Sequence, residues 1–138
     1  MNEYRFEDIQ IGMKAQFDAS FTSEHMRNFA ELSGDHNPLH VDSEYAAGCG
    51  FPSPVVFGLM TSSLYSRLAG MYLPGKYALL QGIDIDFNHP CFPGDLLRVE
   101  GEVSFINEAY RRFEMRAKVR RNDGKLVSKS IIKVGFHD

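Results

Sequence analysis

Residues 33–40, Ser-Gly-Asp-His-Asn-Pro-Leu-His, hold the densest chemistry of the chain: an acid, two histidines and an asparagine. Asp35 and His40 lie five positions apart. On a straight helix that spacing would separate them, but Asn37-Pro38 disfavours helix at Asn37 and can fold the chain back. A carboxylate and an imidazole that converge on one water form a general base and a general acid. Each positioned proton transfer is worth about 10²–10⁴ in rate. The competing reading is that Asp35 caps the local turn and His40 is a satisfied polar group. Asn37 reads first as a turn residue and second as a ligand contact.

Other candidates carry weaker signals. Gly58 falls near the start of an apolar segment, after Pro54-Val55-Val56-Phe57. Free N–H groups at a helix N-terminus favour a negatively charged oxygen, so an oxyanion site for a carbonyl is one reading. The other is a glycine that lets the helix start close to another backbone. His36 and His40 have the i, i+4 spacing of a zinc pair, but Pro38 lies between them and no third ligand follows at a clear spacing. No metal site is expected. Cys49 sits in Gly-Cys-Gly without a catalytic signature. Asp84 and Asp86 occupy the polar side of an alternating segment, which suits a solvated or interface face. Arg116, Lys118 and Arg120 read as a wet sheet face that could attract an anion.

The elements that must position these residues follow from periodicity. Ala15, Phe17, Ala19 and Phe21 alternate as in a short strand. Thr22 or Ser23 suits an N-cap, Met26, Phe29 and Ala30 repeat at helical spacing, and Gly34 stops the run. A helix is expected over residues 23–32, and a short one from Asp42 through Ala47. Residues 55–70 are apolar on most sides and contain one charge, Arg67, which predicts a helix wrapped by other elements.

The wrapping comes from downstream alternation. Ile83, Ile85 and Phe87 form one face; Leu97, Val99, Val103 and Phe105 a second; Phe113, Met115, Ala117 and Val119 a third. Residues 126–136 supply a last strand, and Asn122-Asp123-Gly124 is a hairpin turn before it. One curved antiparallel sheet around one buried helix, an α+β architecture, satisfies both periods. Such a sheet leaves edges, and pairing of two copies would protect them, so a homodimer or higher homo-oligomer is expected.

The bulk properties agree. The 138 residues are 43% apolar and 24% charged, with a net charge of −3. That suits a single domain over 1–138 with a real core. The acid balance argues against a nucleic-acid binder, and no apolar run is long enough to span a bilayer. Met1 to Gln10 are polar and of mixed charge, unlike a secretory signal. The two cysteines, Cys49 and Cys91, form no close pair, which suits free thiols in a reducing, cytoplasmic setting.

Taken together, the segment Phe29-Ala30-Glu31-Leu32-Ser33-Gly34-Asp35-His36-Asn37-Pro38-Leu39-His40-Val41-Asp42 resembles the hydratase 2 signature of MaoC-like proteins, the (R)-specific enoyl-CoA hydratases. The likeness continues through residues 54–60, 63–66, 73–76, 87–90 and 93–95, in the family's order and over nearly the whole chain. The resemblance implies a hot-dog fold, a long central helix wrapped by antiparallel sheet. It implies reversible addition of water across the 2,3 double bond of an enoyl thioester carried on coenzyme A or acyl-carrier protein, with no metal or redox cofactor. It places Asp35 and His40 as the catalytic dyad, Gly58 as the N–H that polarises the thioester carbonyl, and Ser66 as a serine that supports the dyad. One departure stands out: the family commonly has His-Gly before the helix, and here it is Phe57-Gly58, with Phe57 expected in the core. A thioesterase on the same fold and a non-catalytic acyl-binding subunit are the competing functions.

Overall fold

The computed structural model describes residues 1–137. The chain begins with a 3₁₀ turn, Phe6–Asp8, and a strand, β1 (Lys14–Ala19). Helix α1 (Ser23–Ser33) starts at Thr22, whose hydroxyl accepts from the His25 N–H at 3.1 Å while the Thr22 N–H donates to His25 Nδ1 at 3.0 Å. This reciprocal cap satisfies donors that the helix start would leave unpaired. Gly34 ends α1 in the left-handed region at φ 75°, which a Cβ would disfavour.

The expected turn that follows contains one further turn of helix. Helix α2 (Pro38–Val41) places Pro38 at its start, where a missing N–H leaves no bond unmade. Asp42 then caps α3 (Ser43–Gly48), accepting from Glu44 and Tyr45 N–H at 2.9 and 3.0 Å.

The central helix begins later than the apolar run suggests. Val55 N–H donates to Leu39 O at 3.0 Å and Val56 N–H to Cys91 O at 2.9 Å. These bonds hold residues 55–57 outside the helix, between α2 and the loop before β3. Helix α4 therefore runs Gly58–Arg67 and continues as a π-helical turn, Leu68–Tyr72. Met60, Thr61, Leu64, Tyr65, Leu68 and Ala69 are buried. Leu59, 69% exposed, and Ser63 and Ser66, both exposed, lie outside that core. The expectation of a helix wrapped on most sides is thus corrected: one flank stays open within a single chain.

Five antiparallel strands form one sheet in the order β1-β3-β4-β5-β2, with β2 at Ala78–Phe87, β3 at Leu97–Asn107, β4 at Arg112–Arg121 and β5 at Leu126–Phe136. Leu97, Val99 and Val103 of β3 and Phe113, Met115, Ala117 and Val119 of β4 turn inward and pack on α4 and the π turn. The approach is closest at Gly101, where an added Cβ would lie 2.6 Å from Leu68 Cδ2 and 2.9 Å from Met115 Sδ. One buried polar pair crosses this layer: the Tyr65 hydroxyl hydrogen-bonds Ser128 Oγ at 2.7 Å. Burial pushes the Tyr65 phenol up, and the Ser128 bond partly offsets this.

Two alternation readings need correction. The register shifts between Val103 and Phe105, so Phe105 pairs with Glu114 and is exposed, while Ile106 opposes Phe113 and packs on the core. A bulge inserts one residue and flips the faces beyond it. On β2, Ile83 and Phe87 are exposed rather than buried; this strand is the edge of the sheet, with a neighbouring strand on one side only.

The first residues tie off the far end of the central helix. Asn2 N–H donates to Met71 O at 2.9 Å, Asn2 Nδ2 to Tyr72 O at 2.7 Å, and Lys76 N–H to Asn2 O at 2.9 Å. A bridge pairs Glu3 with Gly75.

Candidate active site

The segment after α1 is stiffened by successive local hydrogen bonds. Ser33 Oγ donates to Phe29 O at 2.7 Å and accepts from Asp35 N–H at 3.1 Å. Asp35 Oδ1 accepts from Asn37 N–H at 3.1 Å, and Asn37 Oδ1 accepts from Leu39 N–H at 3.0 Å. Asn37 is thereby the N-cap of α2. Asp35 is exposed, and its Oδ2 has no hydrogen-bond partner among the described residues. One carboxylate oxygen is used for the turn and the other is free.

His40 sits on the single turn of α2. Its Nδ1 lies 2.6 Å from Val55 O. A carbonyl can only accept, so Nδ1 carries the proton and Nε2 is the ring nitrogen left for other partners. The ring stacks on Phe57, with centroids 4.2 Å apart and planes at 26°. Phe57 is 2% exposed and packs on Phe29 at 4.8 Å, so it belongs to the core and touches the histidine as well. The imidazole is held by an edge bond and a face contact.

Gly58 opens α4 next to this ring. No side chain caps the helix, and Phe57 O receives Met60 and Thr61 N–H, which are third and fourth in the helix. The first N–H groups of a helix have no intrahelical acceptor, so Gly58 and Leu59 present donors at the positive end of the dipole. A Cβ at Gly58 would lie 3.0 Å from the Phe87 ring, so close packing also asks for glycine here.

A cavity of about 250 Å³ brings His40 and Gly58 together with Thr61, Phe87, His89 and Cys91. Asp35 does not line it, and neither does Asn37. Ser66 lies two helical turns beyond Gly58 on α4, exposed and outside this cavity, so a single chain does not bring it to the histidine. Cys91 is buried, and desolvation with the nearby Asp95 charge pushes its thiol up to about 12, which keeps it protonated at neutral pH. Cys49 is exposed. His36 Nε2 lies 3.8 Å from Glu31 Oε1, away from His40's partners. Among the described residues no three or more His, Cys, Asp or Glu side chains converge as a metal site. Phe87, His89 and Cys91 were not singled out by sequence as site residues. They reach Gly58 through the β2–β5 pairing and the Val56–Cys91 bond, which no local pattern encodes.

Sheet, helix and cavity define a class: a hot-dog protein that presents a fixed histidine and free helix N–H donors to one cleft. The chain belongs to the MaoC-like family, whose MaoC like domain matches residues 6–124. It is 38% identical over 102 residues to the (R)-specific enoyl-CoA hydratase of Aeromonas caviae, covering 74% of this chain and 76% of that protein. It is 33% identical over 107 residues to the 3-hydroxybutyryl-CoA dehydratase of Methylorubrum extorquens, covering 78% of this chain and 68% of that one. The solved structure of the A. caviae (R)-hydratase involved in PHA biosynthesis superposes with a TM-score of 0.90 at 32% identity, over 95% of this chain and 99% of that one.

Proposed function

We propose that the protein hydrates a 2-enoyl thioester to the (R)-3-hydroxyacyl thioester, or runs the reverse dehydration. The observation that carries this reading is the meeting of a pinned His40 and the uncapped N-terminus of α4 in one cavity. The thioester carbonyl accepts from Gly58 N–H, and the helix end stabilises the enolate oxygen as charge develops. Asp35 takes a proton from water as the water oxygen bonds to C3. His40, in its doubly protonated form with Nδ1–H held by Val55 O, delivers the Nε2 proton to C2 and is left neutral, closing the addition; the proton taken by Asp35 returns to the ring through solvent. In the dehydration direction the same two groups exchange roles. The carrier is coenzyme A or acyl-carrier protein, and the residues call for no metal or redox group. The named relatives support this chemistry, since both act on coenzyme A esters.

The working unit we propose is a homodimer. A cavity of about 250 Å³ is small for a site that buries its ligand, which takes roughly 300–1,000 Å³. The flank that would complete it is unpaired: Leu59 of α4 and Phe87 of β2 are 69% and 54% exposed. A second copy covers these and lies near Ser66 and Asp35, which one chain leaves open. Among the described residues no helix is long and apolar enough to cross a membrane. Two free thiols suit a reducing compartment such as the cytoplasm.

The test is hydration of crotonyl-CoA, followed by loss of its enoyl absorbance. Asp35→Asn and His40→Ala should each lower kcat by about 10²-fold or more. Activity surviving both changes would reject the dyad. Release of free coenzyme A thiol in place of hydration would indicate a thioesterase, and binding without turnover an acyl-binding subunit.

A further inference from the structure

We propose that His89 is a substrate-binding residue, whose Nε2 accepts a hydrogen bond from the first amide N–H of a pantetheine-type carrier arm. This rests on the hydratase reading, which sets the thioester carbonyl at Gly58. Three observations support it. First, His89 lines the same cavity as His40 and Gly58, and it is the second histidine there. Second, its Nδ1 lies 2.9 Å from Leu126 O. The carbonyl can only accept, so Nδ1 carries a proton, and in that tautomer Nε2 is the acceptor. Third, the segment that carries it is tied on several sides. Asn88 N–H donates to Val127 O at 2.9 Å, Arg121 Nη1 donates to Pro90 O at 2.8 Å, and Cys91 O accepts from Val56 N–H at 2.9 Å. Arg121 is itself held by Asp123. A ring anchored by its own nitrogen on an anchored segment is preorganised for one partner.

The chemistry of that partner follows from the thioester. In a pantetheine arm two methylenes separate the sulfur from an amide N–H. With the carbonyl at Gly58, that donor falls in the same small cleft, where binding strips it of water. A covered amide N–H needs an acceptor, and leaving it unpaired is costly. His40 is committed to the acyl end, which leaves the His89 Nε2 for the arm.

The experiment compares two crotonyl thioesters. The N-acetylcysteamine ester keeps the amide, and the butanethiol ester lacks it. For the unaltered protein, kcat/KM should favour the amide-bearing ester by about 3–10-fold, the worth of one such hydrogen bond. In His89→Ala the preference should vanish while the rate on the butanethiol ester holds. His89→Gln, which keeps an acceptor, should recover part of it. A preference unchanged in His89→Ala overturns the assignment. So does an equal loss on both esters, which marks His89 as merely a clip between the β2–β3 loop and β5. Hydration of crotonyl-CoA but of neither short ester overturns this assignment alone, and failure to hydrate crotonyl-CoA overturns the hydratase reading itself, and with it this one.

Discussion

At the scale of single residues, the aromatic before the central helix connects packing to chemistry. Phe57 fills the core against Phe29 and supports the His40 ring from below. Phe57→Ala should therefore cost about 3–5 kcal/mol in urea unfolding, as large-to-small changes of buried aromatics do. Phe57→Leu keeps apolar volume but removes the flat face. It should leave the fold and KM near their normal values and lower kcat on crotonyl-CoA about tenfold, because the imidazole loses its fixed plane. If kcat is unchanged in Phe57→Leu, the stack does not position the histidine. The candidate residues nearest in sequence were the most legible. Asn37-Pro38 announces a turn by local sterics alone, and Asp35, Asn37 and His40 all sit on that turn. What stayed hidden was which side each faces. The turn consumes one oxygen of Asp35, while His40 points its Nδ1 to Val55, fifteen positions further along the chain and beyond α3.

At the scale of elements, the fit between helix and sheet turns on a missing side chain. Gly101 has no positive φ and needs none; its role is space. Leu68 and Met115, both fully buried, occupy the volume a Cβ would take. Gly101→Val should force these side chains off their rotamers and cost about 1–3 kcal/mol, read as a lower urea midpoint. A change without effect would show that the two layers have slack at this point. Strands β3, β4 and β5 were readable because each buries one face against the helix, and alternation records that directly. The Phe105 flip was not, because a bulge depends on pairing with β4 and leaves no mark on hydropathy. The start of α4 was also obscured, since Val55 and Val56 are as apolar as the helix and are withheld from it by bonds to Leu39 and Cys91.

At the scale of the whole molecule, one long edge is unsatisfied. Strand β2 pairs with β5 on one side alone, and it exposes Leu79, Leu80, Ile83 and Phe87. An apolar open edge is a template for another strand unless something covers it. Light scattering on the purified protein should give twice the mass of the chain. Phe87→Glu, which sets a charge beside Gly58 on that flank, should yield monomers and depress hydration together. Monomers of the unaltered protein would refute the dimer. The open flank also explains why composition overstated the burial of the central helix: an exposed apolar residue such as Leu59 looks, in sequence, like a residue of the core. At the opposite end the chain is self-contained. Asn2 and Glu3 lie against Met71, Tyr72 and Gly75, so the start of the polypeptide and the tail of the central helix are one mechanical unit. Breathing at that end must release both partners together, and amide protons on the two segments then share a single opening event despite their distance along the chain.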